Sequence, residues 1–228
     1  MKKKIQTTEW WDKEKSDKLD KYKLTENWNE HSYDMWDNFF NGKGESSYQH
    51  TDKIKNVLEV GCYEGATSMW LCDNVLKPGC NYDLIDSFDG SISRSKEAKE
   101  NNITEHFEVM GNVEKNLRHN VTTHPNINFN VHKGFTQTIL SKLWESGNKY
   151  DLIFIDASHQ SDDTFVDGYY CHKMLNKDGI IIFDDYGWTF PEVKFKYEVP
   201  KFGIDFFFEM YGHEYFQAGG YQVFGQKK

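Results

Sequence analysis

Between Asp151 and Trp188 the chain reads DLIFIDASHQSDDTFVDGYYCHKMLNKDGIIIFDDYGW: two apolar, strand-like runs that stop at acid, Asp156 after the first, Asp184 and Asp185 after the second. A carboxylate carried into a folded interior costs free energy unless a cation or hydrogen-bond donors compensate it. Three at neighbouring strand ends call for such a group, and hard oxygen donors suit Mg²⁺, which keeps several waters that substrate hydroxyls can replace. The plainer use stands beside this one: Asp184-Asp185 could open a turn and cap the segment after it. Asp162 and Asp163, directly after Ser161, read as the acids of a helix N-terminus. His159 lies three residues beyond Asp156, and an imidazole can exchange a proton near neutral pH.

A second locus is VLEVGCYEGATS, with Gly61 and Gly65 after a strand and before a helix. Such a turn lets backbone approach a ligand and aims helix N-terminal amides at it, although strand-turn-helix glycines also serve packing alone. The dinucleotide fingerprint needs G-x-G-x-x-G; here Tyr63 takes the middle glycine's place, which argues against a nicotinamide oxidoreductase. LIDSFDG ends the next strand in Asp86, where an acid would accept hydrogen bonds from ribose hydroxyls. Glu59, Asp86, Thr136 and Asp156 are all expected to line one crevice beyond the strand ends.

The elements that must position these residues alternate. NVLEV, a helix from about Thr67, YDLID, a helical stretch around NITEHFEVMGNVEKNLRHN, INFNV, the helix TQTILSKLWES, YDLIFID, a helix from about Asp162 to Leu175 and GIIIFDD succeed one another in order. This spacing predicts an α/β fold, a doubly wound, mostly parallel sheet with helices on both faces. The final PKFGIDFFFEMYG reads as a helix with an aromatic stripe for the core, and EYFQAGGYQVFGQKK as a hairpin turning at Gly219-Gly220, whose last strand runs antiparallel. Residues 1–55, charged and rich in tryptophan, form one or two helices.

With 228 residues and 16% aromatic content the chain has material for one sizeable core, and its formal charge of −9 disfavours a nucleic-acid partner. No apolar stretch approaches the length of a membrane span, so a cytoplasmic protein without a membrane partner is expected. Cys62, Cys72, Cys80 and Cys171 show no zinc-ligand or CxxC spacing and read as reduced structural thiols. His31, His132, His172 and His213 read as surface or packing residues.

The succession VLEVGCYEG, LIDSFDGS, VHKGFT, YDLIFIDASH and GIIIFDDYGW, closed by GYQVFGQK, resembles the class I S-adenosylmethionine-dependent methyltransferases. More narrowly, it is similar to the macrolide-sugar and cephalosporin-pathway O-methyltransferases. The resemblance runs from about Val57 onward. It implies a seven-stranded Rossmann-like domain over residues 56–228, with residues 1–55 as substrate cap or oligomer contact. It implies S-adenosylmethionine held by Glu59, Gly61, Tyr63, Gly65, Ser68, Asp86, Ser87, Phe88, Thr136 and Asp156. It further implies Mg²⁺ on Asp156, Asp184 and Asp185, and a small hydroxylated acceptor, a sugar or phenol. His159 stands where metal-dependent catechol and caffeoyl-type relatives carry a catalytic lysine. It becomes the general base, with Asp156 as the alternative, and a role supporting the metal ligands or binding substrate is also open for His159. Tyr186 and Trp188 form either an acceptor wall or ordinary packing.

Two rival readings remain open. One is a metal-independent methyltransferase using Asp156 or His159 alone; the other is a catalytically silent cofactor-binding subunit whose tryptophan-rich N-terminal part docks a partner or a second copy of the chain. Specificity is expected in that segment, in the stretch from Phe88 to about Asn102, and in the loop from Gly187 to Pro200.

Overall fold

A computed structural model describes residues 21–25, 27–42, 44, 47–89, 104–189 and 195–228. Residues 1–20, the stretch 90–102 and residues 190–194, within the segments on which specificity is expected to depend, lie outside the described residues.

Seven strands, β1 (Asn56–Val60), β2 (Asn81–Asp86), β3 (Asn128–Lys133), β4 (Tyr150–Ile155), β5 (Leu175–Phe183), β6 (Tyr215–Gly219) and β7 (Val223–Lys227), form one sheet in the order β3-β2-β1-β4-β5-β7-β6. The first five pair in parallel, while β7 pairs antiparallel with both β5 and β6. This is the predicted doubly wound sheet with its hairpin finish. The turn falls at Gly220 to Gln222 rather than at Gly219-Gly220, because Gly219 still pairs with Val223.

The helices are α1 (Tyr33–Asn41), α2 (Ala66–Asn74), α3 (Thr104–Val121), α4 (Thr136–Glu145), α5 (Ser161–Met174) and α6 (Lys201–Tyr211). Successive strand side chains alternate faces, and the core divides accordingly. Val57, Tyr82, Leu84, Leu152, Phe154, Ile180, Ile182 and Phe224 pack against Trp36 and Phe40 of α1, Trp70 and Leu71 of α2 and Leu117 of α3. Leu58, Val60, Ile153, Ile155, Ile181 and Phe183 pack against Leu140 of α4, Cys171 of α5 and Phe207 of α6. The N-terminal helix thus shares the core of the sheet. In α6 the stripe splits: Phe207 is buried, whereas Phe206 and Met210 are exposed. Among the described residues no helix is long and apolar enough to cross a membrane, and all four cysteines are free thiols, three of them buried.

α5 carries Asp167 into the second core with no exposed surface. Its Oδ1 accepts from the Thr136 hydroxyl at 2.8 Å, but its Oδ2 has no partner. Burial above all pushes its carboxyl up to about 8; Glu59, enclosed between Ser68 and Tyr82, is pushed up to about 7 by the same cause. Both folded values lie above those of an unfolded chain, so the folded state keeps protons that the unfolded one releases. The stability these groups contribute is present at acid pH and is lost as pH rises through their folded values, each by at most about 1.4 kcal/mol per pH unit. Asp167→Asn should therefore flatten the decline of the urea midpoint across a pH series through the neutral range; a variant as steep as the wild type would contradict this account.

Candidate active site

Strand parity places the acids. In β2, β4, β5 and β7 the residues facing α1 to α3 are Leu84, Phe154, Ile182 and Phe224, so the same side of the sheet receives Asp86, Asp156, Asp184 and Gln222, two residues along. Asp156 and Asp184 are held in line by their backbone amides, which bond to the Val60 and Ile155 carbonyls at 2.8 and 2.9 Å. Asp185 breaks the alternation. It adopts the left-handed conformation at φ 55, which swings its carboxylate toward Asp156. Backbone strain of this kind concentrates at functional sites because it costs on the order of 1–3 kcal/mol and persists only where the surroundings hold it. Here Asp185 N–H donates to Asp184 Oδ1 at 2.7 Å, Tyr221 Oη donates to Asp185 Oδ1 at 2.9 Å, and Trp188 N–H bonds the Asp185 carbonyl at 2.9 Å. The acid pair therefore does open a turn, as its plainer reading required.

His159 completes the cluster. Its Nε2 lies 2.9 Å from Asp185 Oδ2, and its ring leans on Trp188 with centroids 4.5 Å apart. One ligand atom each from Asp156, His159 and Asp185 falls within 4.8 Å of the others, around a cavity of about 10 Å³, room for about one water or ion. This donor set fits a divalent cation. Asp184 stands behind it, buried, with Oδ1 spent on the Asp185 amide. Burial, then the charges of Asp184, Asp185 and Glu59, hold the Asp156 carboxyl well above the usual carboxylate range; a hydrogen bond from Asn29 opposes them. Burial and Asp185 raise Asp184 likewise, against hydrogen bonds from the Asp185 amide and the Gln222 side chain.

The glycine turn sits beside this cluster. Gly61 and Gly65 have φ of 85 and 84, and Tyr63 one of 47. Gly61 is pressed against the neighbouring strand end: a Cβ there would lie 1.9 Å from the Asp156 carbonyl oxygen. Asp86 organises the turn, its Oδ2 accepting from the amides of Cys62 at 3.1 Å and Tyr63 at 2.8 Å and its Oδ1 from Phe88 at 2.8 Å. These three bonds leave Asp86 lone pairs for a ligand hydroxyl. Ser87 bonds Asp89, and Phe88, with φ 52, is buried. Glu59 and Ser68 face inward instead: Glu59 Oε2 accepts from Ser68 Oγ and Tyr82 Oη, both at 2.6 Å. The Thr136 hydroxyl is directed at Asp167. Tyr186 bonds Asp205 and Lys201.

Several residues around the crevice had no signal in the sequence. Trp28 covers Tyr63 with centroids 4.7 Å apart, Thr25 and Asn116 bond Glu64 of the turn, and the His31 ring meets Tyr221 edge-on at 5.1 Å. Of the other histidines expected to pack, His172 is buried against Tyr211 and Tyr215. His132 pairs with Asp83.

A parallel sheet whose first crossover turn is glycine-built, with acids at the ends of β2, β4 and β5 and an antiparallel β7, defines the class I methyltransferase fold. Residues 58–186 match the family model described as a methyltransferase domain, and the chain belongs to that family. Among solved structures it is similar to an O-methyltransferase from Bacillus cereus in complex with SAH (14% identity, 92% of this chain and 96% of that one, TM-score 0.50). It is also similar to TomG from Streptomyces achromogenes, an O-methyltransferase of tomaymycin synthesis in complex with SAM (16% identity, 98% and 100%, TM-score 0.52). The mycinamycin-pathway methyltransferase MycE, in complex with Mg, SAH and mycinamycin VI, is similar at 12% identity over 93% of this chain and 52% of that one, TM-score 0.54. No curated protein matches by sequence.

Proposed function

We propose that this chain is an S-adenosylmethionine-dependent O-methyltransferase that methylates a hydroxyl of a small acceptor, sugar-like or phenolic, with Mg²⁺ assistance. The observation that carries the reading is the convergence of Asp156, Asp185 and His159 on an ion-sized cavity beside the glycine turn. The bound cofactors and Mg of the similar structures support it.

In this reading Asp86 would receive ribose hydroxyls of the cofactor, and the turn from Gly61 to Gly65 would bring backbone amides close to it. Asp156 and Asp185 would hold the cation, which supplies Lewis acidity and a template for the acceptor hydroxyl. Donation of Nε2–H to Asp185 leaves Nδ1 as the basic nitrogen of His159. The cofactor would supply the methyl group and a sulfur that leaves with the carbon–sulfur bonding pair, and His159 Nδ1 would accept the proton that the acceptor hydroxyl loses. The residues' main task is to align oxygen, methyl and sulfur, since the sulfonium already carries its leaving group. Strand ends braced by backbone hydrogen bonds suit that task.

The His159–Asp185 contact also favours a second reading, a metal-independent enzyme in which this pair alone removes the proton. The test is calorimetric titration with S-adenosylhomocysteine, then an acceptor screen with and without EDTA. Asp86→Ala should weaken cofactor binding by about 10- to 100-fold, the scale of lost hydrogen bonds to a charged group. Turnover that survives chelation selects the metal-independent enzyme. Cofactor binding without turnover on any acceptor selects the silent subunit, and a wild type that does not bind the cofactor rejects the assignment.

A further inference from the structure

Trp36, from helix α1, and Gln222, directly before the last strand, are 186 positions apart, yet Trp36 Nε1 donates to Gln222 Oε1 at 2.6 Å in the buried interior. An indole N–H can only donate. It therefore settles which end of the glutamine amide is oxygen, and the amide's two N–H groups must point the other way. One reaches Asn29 Oδ1 at 3.5 Å; the other is left on the side of Asp184, which stands opposite Gln222 one step beyond the Phe183–Val223 pair and on the same side of the sheet. With its oxygen engaged, Asn29 donates from its own amide to Thr67 Oγ1 at 3.0 Å.

One branch ends on the acidic cluster. Through Asp184, whose Oδ1 holds the Asp185 amide at 2.7 Å, it reaches the left-handed turn that aims Asp185. Trp36, Gln222, Asn29, Thr67 and Asp184 are each nine-tenths buried or more, so water offers no ready substitute for a lost partner.

We propose that Gln222, with its orientation fixed by Trp36, is the positioning residue that holds the cation-facing Asp185 carboxylate at its working distance from Asp156. It touches neither the cation nor the acceptor. Asp184 then serves as a bracket between Gln222 and the Asp185 backbone. This inference rests on the Mg²⁺-assisted reading above and adds the residues that prepare its site.

The experiment is titration calorimetry of the full cofactor-free chain with MgCl₂, paired with S-adenosylhomocysteine titration and a thermal melt, for wild type, Gln222→Met and Trp36→Phe. Gln222→Met keeps the length of the side chain and removes both donors. It should weaken Mg²⁺ binding about 10-fold or more while cofactor affinity stays within about threefold. Trp36→Phe, remote from the cation, should weaken Mg²⁺ in the same direction by about threefold or more, and it serves as the readout if Gln222→Met does not fold. Folded variants with unchanged Mg²⁺ affinity, or with cofactor and Mg²⁺ affinity falling together, overturn the proposal, since a merely structural role gives those results. A wild type that binds the cofactor but not Mg²⁺ removes the metal-assisted reading and this inference with it, and is recognised because the wild type itself is then silent.

Discussion

Asp156→Asn is expected to slow methyl transfer by about 10²- to 10⁴-fold, the usual scale for losing an acid–base or charge-positioning group, and to raise the melting temperature of the ligand-free protein. The two effects have one origin. Asp156 shares its site with Asp184 and Asp185, and both burial and their charges oppose its ionisation. Asparagine keeps the shape and an acceptor oxygen but removes the like charge, so the folded apoprotein is relieved. Under the Mg²⁺-assisted reading proposed above, the same exchange would deprive the cation of one carboxylate and leave the acceptor hydroxyl less acidified. Rates on any acceptor the wild type methylates, together with a melt in EDTA, read both quantities. A variant retaining its rate within about threefold would show that Asp156 has no part in the chemistry.

Gly61→Ala carries the largest expected loss of stability, about 3 kcal/mol or more. A methyl group would lie 1.9 Å from the Asp156 carbonyl oxygen and 2.6 Å from Ala157 Cα, which no rotamer can relieve because both neighbours are backbone. The strand ends of β1 and β4 would have to part at the point where the crevice is built. The left-handed φ adds roughly 1–2 kcal/mol for any residue with a Cβ. Gly79 supplies the control: it has φ 91, but open space surrounds the new carbon, so Gly79→Ala should show the conformational cost alone. Urea unfolding of the two variants separates the terms, and equal losses would refute the close approach.

Much of this was legible in the sequence because it depends on local period and chemistry. Alternating strands and helices gave the doubly wound sheet, and acids closing apolar runs marked the edge of the crevice. Parity would have sharpened the second point: counting by two from Phe154 and Ile182 puts Asp156 and Asp184 on one face. The turn of Asp185 was not legible, since nothing local announces a left-handed aspartate. The inward direction of Glu59 and Ser68 depends on Tyr82, a partner 23 residues from Glu59 that only tertiary packing supplies. Asn29, Trp36 and Gln222 carry no motif; their roles exist only once distant segments meet.

That meeting has a kinetic side. β1 finds β4 across 95 positions, from Val57 to Leu152, and the Trp36 contact with Gln222 closes a loop nearly twice as long. Closure of so long a loop adds little to the equilibrium cost, roughly 0.6 kcal/mol per doubling, but long-range pairing slows folding. Helix α2 with β1 and β2 can form early, whereas α1, whose Trp36 and Phe39 lie against Phe154 and Phe224, and the acidic edge wait for β4, β5 and β7 to arrive. During refolding, far-ultraviolet ellipticity should recover before ligand binding does, so that the chain is compact for a time before it is competent.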